Sequence, residues 1–310
     1  MSWPVPRSLV VTALVVALLP LVMPNNYVFD IAVRIQLAAV AAIGLNLLMG
    51  FAGQISIGHA AFVAIGAYGS GIATARFGCP PLWAIVGSAA GAAAIGWLIA
   101  KPILRLQGHS LTMATLGLGL IVNIILVNEG AWTGGPDGMP VPALEVGGFA
   151  FAKLLHWYAL AGAVLLVSIA LSLNLYRSPA GRALRGLHGS EVAARTMGVD
   201  VARFKVRVFV VSTVFAAVSG SLTAHYLGYI SPSLAAFTHS IELATMVVLG
   251  GMASTYGAVL GAGVLTILPQ LFGGLSGYEM VFFGLVLMLT MIFLPKGLVP
   301  TIALKLQKRR

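Results

Sequence analysis

Two titratable side chains, His59 and Glu242, lie inside stretches otherwise apolar enough to enter a bilayer. At that depth an imidazole or a carboxylate can carry a proton, bind a polar solute or join two helices. Around His59 the run GLNLLMGFAGQISIGHAAFVAIGAYGSG, Gly44 to Gly71, adds the amides of Asn46 and Gln54 and the hydroxyl of Ser56. Bond-breaking chemistry is not what these residues suggest. There is no His-Glu-x-x-His and no Gly-x-Ser-x-Gly, and Cys79 is the single cysteine, which rules out an internal disulfide and a thiolate metal cluster. A phosphate-cradling loop needs Gly-Lys before Ser or Thr, yet the six lysines precede Pro102, Leu154, Val206, Gly297, Leu306 and Arg309. No cofactor is expected in this chain, and any ATP-driven step must use another one.

Composition says which elements position these groups. Hydrophobic residues make up 59% of the 310, charged ones 8%, and mean hydropathy is +0.99. Such a chain cannot cover a globule with polar surface, whereas a bilayer requires no cover. The fold class is therefore all-α, a polytopic integral membrane protein with about ten transmembrane or re-entrant helices in one domain over 1–310. Apolar segments fall at 8–23, 31–49, 56–74, 82–100, 110–128, 154–175, 208–229, 240–253, 257–273 and 278–295. Arg7 and the run after it resemble a signal peptide, but Pro-Leu-Val-Met-Pro-Asn-Asn follows without a small-x-small cleavage site, so a retained first span is expected.

Basic residues in short loops are held on the cytoplasmic side. With the N-terminus inside, fifteen of them fall inside and two, Arg76 and Lys153, outside, while Asp30, Glu129, Asp137 and Glu145 all fall outside. Both termini are thus expected in the cytoplasm. The net charge of +10 reflects topology and neighbouring anionic lipid; no soluble basic face exists for nucleic acid.

Two loops exceed the minimum length. The acidic, Gly- and Pro-rich stretch Glu129 to Lys153 reads as an irregular cap over the outer mouth, or as a passive connector. The basic one, Tyr176 to Arg207, has internal punctuation. Ser178-Pro179 starts one helix, Ser190-Glu191 starts a second, Gly198 stops it, and Asp200 caps a helix that continues into the membrane. A short rigid helix joined to a spanning one can transmit a push from a cytoplasmic partner. An interfacial helix on anionic lipid fits the same spacing.

Gly50, Gly53 and Gly58 permit a break in the backbone where it lines a cavity, with Gln54, Ser56 and His59 beside it, bonded to one another or to a partner. The small-residue stretch Leu249 to Gly257 suggests a matching interruption in the other half. Ser240 is expected to cap a helix and to set Glu242 in its first turn, a structural role for that carboxylate. Asn46, Asn123, His225 and Tyr226 face either a pathway or a neighbouring helix.

Glu191-Val-Ala-Ala-Arg-Thr-Met-Gly198 resembles the EAA loop by which permease subunits of ABC importers dock their ATPases, with Ala193-Ala194 in register to Gly198. The glutamate is displaced by one residue, and the downstream Ile-x-Leu-Pro is missing. Gly53-Gln-Ile-Ser-Ile-Gly-His-Ala-Ala-Phe62, Gly66-Ala-Tyr68, Ser240-Ile-Glu-Leu243 and Val247-Val-Leu-Gly-Gly251 are similar to the branched-chain amino-acid importer permeases, of the M type, over residues 30 to 300. The resemblance implies a permease of the bacterial inner membrane that moves branched-chain or related small amino acids inward. It also implies a second homologous permease, two cytoplasmic ABC ATPases and a periplasmic binding protein as partners. Ser190, Glu191, Ala193, Ala194 and Gly198 would form the coupling loop, and Asn46, Gln54, Ser56, His59 and Glu242 are pathway candidates. A self-sufficient transporter, with Glu242 or His59 carrying a coupling proton, is the rival reading.

Overall fold

A computed structural model describes residues 7–22, 25–104, 106, 108–146 and 149–271, and beyond these 281, 284, 285, 288, 289, 292 and 297–301. The first nine apolar segments each correspond to a helix; the tenth lies mostly outside the described residues. The helices are α1 (Arg7–Val22), α2 (Asn26–Asn46), α3 (Ala60–Phe77), α4 (Pro81–Ile103), α5 (His109–Asn128), the short α6 (Gly130–Thr133), α7 (Leu154–Arg177), α8 (Pro179–Gly189), α9 (Glu191–Thr196), α10 (Val201–Leu227), α11 (Phe237–Gly250) and α12 (Thr255–Leu271). Asn26–Phe51, α4, α5, α7 and α10 are long and apolar enough to cross a membrane. The chain is an all-α polytopic membrane protein.

The loop between α5 and α7 is more regular than an irregular cap. It holds α6, a 3-10 turn at Gly135–Asp137 and the two-residue strands β1 (Met139–Pro140), β2 (Glu145–Val146) and β3 (Phe149–Ala150). β2 pairs with β3, and β1 pairs antiparallel with β4 (Tyr229–Ile230), which follows α10. One end of the bundle, the cap end, thus carries both the α5–α7 and the α10–α11 connections. Three side chains fasten it: Asn123 donates to the Pro232 carbonyl at 3.0 Å, His225 Nδ1 lies 2.9 Å from the Pro142 carbonyl, and Tyr226 donates to Asp30. All three bond to a neighbouring helix or loop, and Tyr226 also lines a cavity. The opposite end carries α8 and α9.

α10 packs against α2, α3 and α4. In an apolar medium helices associate through close backbone approach and polar bonds, and α10 uses both. Its hydroxyls reach backbone carbonyls on its neighbours: Ser212 to Gly44 at 2.6 Å and Ser219 to Leu37 at 2.7 Å on α2, and Ser221 to Gly66 at 2.8 Å on α3. Ser212 and Ser219 are two helical turns apart, as are Gly44 and Leu37, so one face of α10 matches one face of α2. Against α3 the fit is tighter. A β-carbon at Gly66 would lie 2.1 Å from the Ala217 carbonyl oxygen, and one at Gly220 would lie 1.9 Å from that of Val63.

The end of α2 widens into a π-helical turn at Leu47–Phe51, and no regular helix resumes until Ala60. That is the break anticipated at Gly50, Gly53 and Gly58. α11 differs from expectation. The 3-10 turn Pro232–Ala235 delivers the chain extended at Ala236, so α11 starts at Phe237 and Ser240 is already inside it. Ser240 is no cap. Glu242 lies beyond the first turn, where the free amides and helix dipole no longer reach it.

Candidate functional site

The break between α2 and α3 is enclosed on several sides. The Ile57 amide donates to Thr115 Oγ1 on α5 at 3.2 Å, and the Ala60 amide donates to Ser240 Oγ on α11 at 3.3 Å. Because Ser212 spends its proton on Gly44, its oxygen accepts from His59 Nε2 at 3.1 Å. His59 is therefore a fully buried donor to α10. Gln54 and Ser56 are buried beside the break, and of the two arrangements anticipated, bonds to one another or to a partner, the first is not formed. The amide atoms of Gln54 and Nδ1 of His59 have no hydrogen-bond partner among the described residues.

Asn46, at the last position of α2, clasps the second interruption. Its Nδ2 donates to the Ser254 carbonyl at 3.0 Å, and its Oδ1 accepts from the Ala253 amide at 3.0 Å. Those two bonds hold the turn between α11 and α12, in which Ala253 takes φ +61°. The two small-residue interruptions thus meet at one level of the bundle, with Asn46 at the junction of α2, α11 and α12.

Glu242 is not part of this constellation. Its Oε2 lies 3.1 Å from His239 Nδ1, and it lines a cavity of about 320 Å³ among α2, α10, α11 and α12. Arg34 shares that cavity and is held by Asp30, whose Oδ2 accepts from Arg34 Nε at 2.8 Å.

At the opposite end the local signals fold as their chemistry dictates. Ser178 caps α8 by accepting from the Gly181 amide at 3.1 Å, Ser190 caps α9 from Ala193 at 3.2 Å, and Asp200 caps α10 from Arg203 at 3.1 Å. Gly198 takes φ +79° in the turn between α9 and α10. α9 buries Ala194 yet leaves Val192 74% and Met197 84% exposed around it. Exposed apolar side chains on so short a helix call for a covering surface.

Sequence reasoning missed Lys205. It is 4% exposed near the start of α10 and is ion-paired to Glu191, the first residue of α9. Glu191 also pairs with Arg195 at 3.8 Å. Helical spacing could have found it: Val201, Lys205, Val208, Phe209 and Ser212 share one buried face of α10. A continuous physical connection follows. Glu191 holds Lys205, and two turns further along α10 Ser212 holds His59 and Gly44 at the break.

A model of the permease component of branched-chain amino acid transport systems matches residues 27–295. The permease protein LivM of Salmonella typhimurium is 33% identical over 300 aligned positions, covering 87% of this chain and 69% of that one. LivM of Escherichia coli K12 is 32% identical, covering 95% and 75%. LivH of the same strain, also a permease of the high-affinity branched-chain amino acid system, is 28% identical over 84% of this chain and 90% of its own. No solved structure matches.

Proposed function

The chain belongs to the permease-component family of branched-chain amino acid transport systems, and from that premise we propose that it moves these amino acids, or close relatives, into the cytoplasm when separate ATPases drive it. The second permease of the assembly is a LivH-like chain. The assembly further contains two cytoplasmic ABC ATPases, which consume the ATP, and an external binding protein that delivers the substrate. The basic end with α8 and α9 faces the cytoplasm, the cap end faces outward, and the chain lies in the bacterial inner membrane as a single permease domain.

The observation that carries the coupling role is α9: a helix capped at its start, stopped at Gly198, exposing Val192 and Met197, and tied through Glu191 to a cation buried on α10. An ATPase seated on Val192 and Met197 moves α10 through that tie, and α10 carries the motion to Ser212, His59 and the break. Ser190 and Gly198 fix the helix ends, Ala194 seats it, and Ala193 is small enough for a partner to approach closely. Asn46, Gln54, Ser56 and His59 lie where the moving helices meet.

Gly198→Val tests this. Nothing lies within 4 Å of a β-carbon there, so the substitution adds backbone strain of about 1–3 kcal/mol at φ +79° without a clash. The expected result is normal membrane abundance with weakened ATPase association, or with ATP hydrolysis uncoupled from uptake, measured by copurification and by uptake of labelled leucine. Unchanged association and transport would mark the hairpin as a lipid-facing connector.

A further inference from the structure

We propose that the cavity among α2, α10, α11 and α12 is the outer part of the translocation path and recognises both charges of a zwitterionic amino acid, Arg34 taking the carboxylate and Glu242 the ammonium. This rests on the reading above that the chain passes amino acids, and adds which side chains meet the substrate and in which orientation.

Depth is the first argument. Arg34 lies eight residues into α2, roughly 12 Å along the axis, and Glu242 five residues into α11, roughly 8 Å. Both are therefore carried below the cap end by apolar helices. Ionisable residues at such depth face a water-filled path or a protein neighbour, because lipid does not solvate them. Neither is buried within this chain: side-chain exposure is 45% for Arg34 and 37% for Glu242. The cleft they share is the face turned toward water and the partner permease.

Chemistry is the second. Arg34 uses Nε on Asp30, leaving the Nη edge of its guanidinium, a planar fork that matches a carboxylate. Asp30 is itself held by the Tyr226 hydroxyl, so the fork is oriented from behind. Glu242 uses Oε2 on His239, leaving Oε1 as an acceptor for an ammonium group.

Polarity along the cavity is the third. Arg34, Glu242, Tyr226 and Gln270 lie toward the cap end of their helices, whereas Leu37, Ala41, Met246 and Leu265 lie deeper. The Ser219 hydroxyl is withdrawn from the deep end by its bond to the Leu37 carbonyl. A small solute with two charges at one end and a branched aliphatic group at the other fits that gradient, charges at the mouth and side chain on the floor. The volume of about 320 Å³ is at the lower end of small-molecule sites, which suits one free amino acid.

The test uses the complete importer in proteoliposomes, with labelled leucine as probe and ATP hydrolysis recorded in the same vesicles. Arg34→Gln and Glu242→Gln are each expected to lower leucine moved per ATP hydrolysed by about tenfold or more, since each removes one charge-assisted contact. Arg34→Lys, which keeps the cation but loses the planar fork, should fall between the unsubstituted importer and Arg34→Gln. Accessibility gives a readout independent of folding losses. Ala38 lines the cavity beside Leu37, so in a Cys79→Ser background Ala38→Cys should react with a water-soluble charged thiol reagent, and leucine should slow that reaction during turnover. Unchanged transport per ATP in both glutamine variants would overturn the proposal. So would a cysteine at 38 that reacts only with a membrane-dissolved reagent. Failure of the underlying reading looks different: the unsubstituted importer would then show no ATP-driven leucine uptake at all.

Discussion

Glu191→Gln is expected to destabilise the chain by about 3 kcal/mol and to abolish coupled uptake. The carboxylate it removes is the counterion of Lys205, whose side chain is 4% exposed, and it also faces Arg195 at 3.8 Å. The substitution thus takes this carboxylate from two cations, one of them out of water. Breaking a buried pair from one side costs about 3–5 kcal/mol; Glu191 keeps 28% of its side-chain exposure, which places this case at the lower end. Lys205→Met in the same background removes the stranded charge and fills its space with an apolar chain, so thermal stability should return. Coupling should not return, because the ion pair between α9 and α10 is still missing. A double-mutant cycle read by thermal unfolding in detergent, alongside leucine uptake per ATP, separates the two effects. Unchanged stability and uptake in Glu191→Gln would mean that the pair does not transmit motion.

Gly220→Ala is expected to be at least as damaging to the fold. The added carbon would meet the Val63 carbonyl oxygen at 1.9 Å, and that obstacle is backbone inside α3, with no rotamer to move it aside. α3 must retreat, loosening the Ser221 bond to Gly66 and opening the Gly66–Ala217 contact one turn away. The cost should therefore exceed the about 1–3 kcal/mol usual for overpacking. Gly87→Ala on α4 is the control. Nothing lies within 4 Å of a β-carbon there, so relief of helix-interior glycine should leave stability equal or about 0.5–1 kcal/mol higher. A folded yield of Gly220→Ala equal to that of the control, measured by size-exclusion chromatography, would show that α3 and α10 are not locked backbone to backbone.

What could be read from the sequence was decided by the range of each interaction. The caps at Ser178, Ser190 and Asp200 and the left-handed Gly198 were legible because a cap needs only an oxygen and an amide two or three residues on. Spans were legible because a bilayer demands long apolar runs. Ser240 misled because the start of α11 is set by the 3-10 turn at Pro232–Ala235 and by β4 just before it, which pairs with β1 in the α5–α7 loop, remote in sequence. The partners of His59 and Asn46 lie 153 and 208 residues away and follow from how α10 and the α11–α12 turn pack. For the same reason Arg34 and Glu242 could not be placed in one cavity before α2 and α11 were seen side by side.

Transport by the purified chain, with and without its partners, tests the central claim most directly. Labelled leucine uptake would be measured in proteoliposomes holding this chain alone under an imposed proton gradient, and in proteoliposomes holding it with the LivH-like permease, both ATPases, the binding protein and ATP. The expected result is no uptake and no ATP hydrolysis by the chain alone, and ATP-dependent uptake by the complete set. Gradient-driven accumulation of leucine by the chain alone would contradict the account.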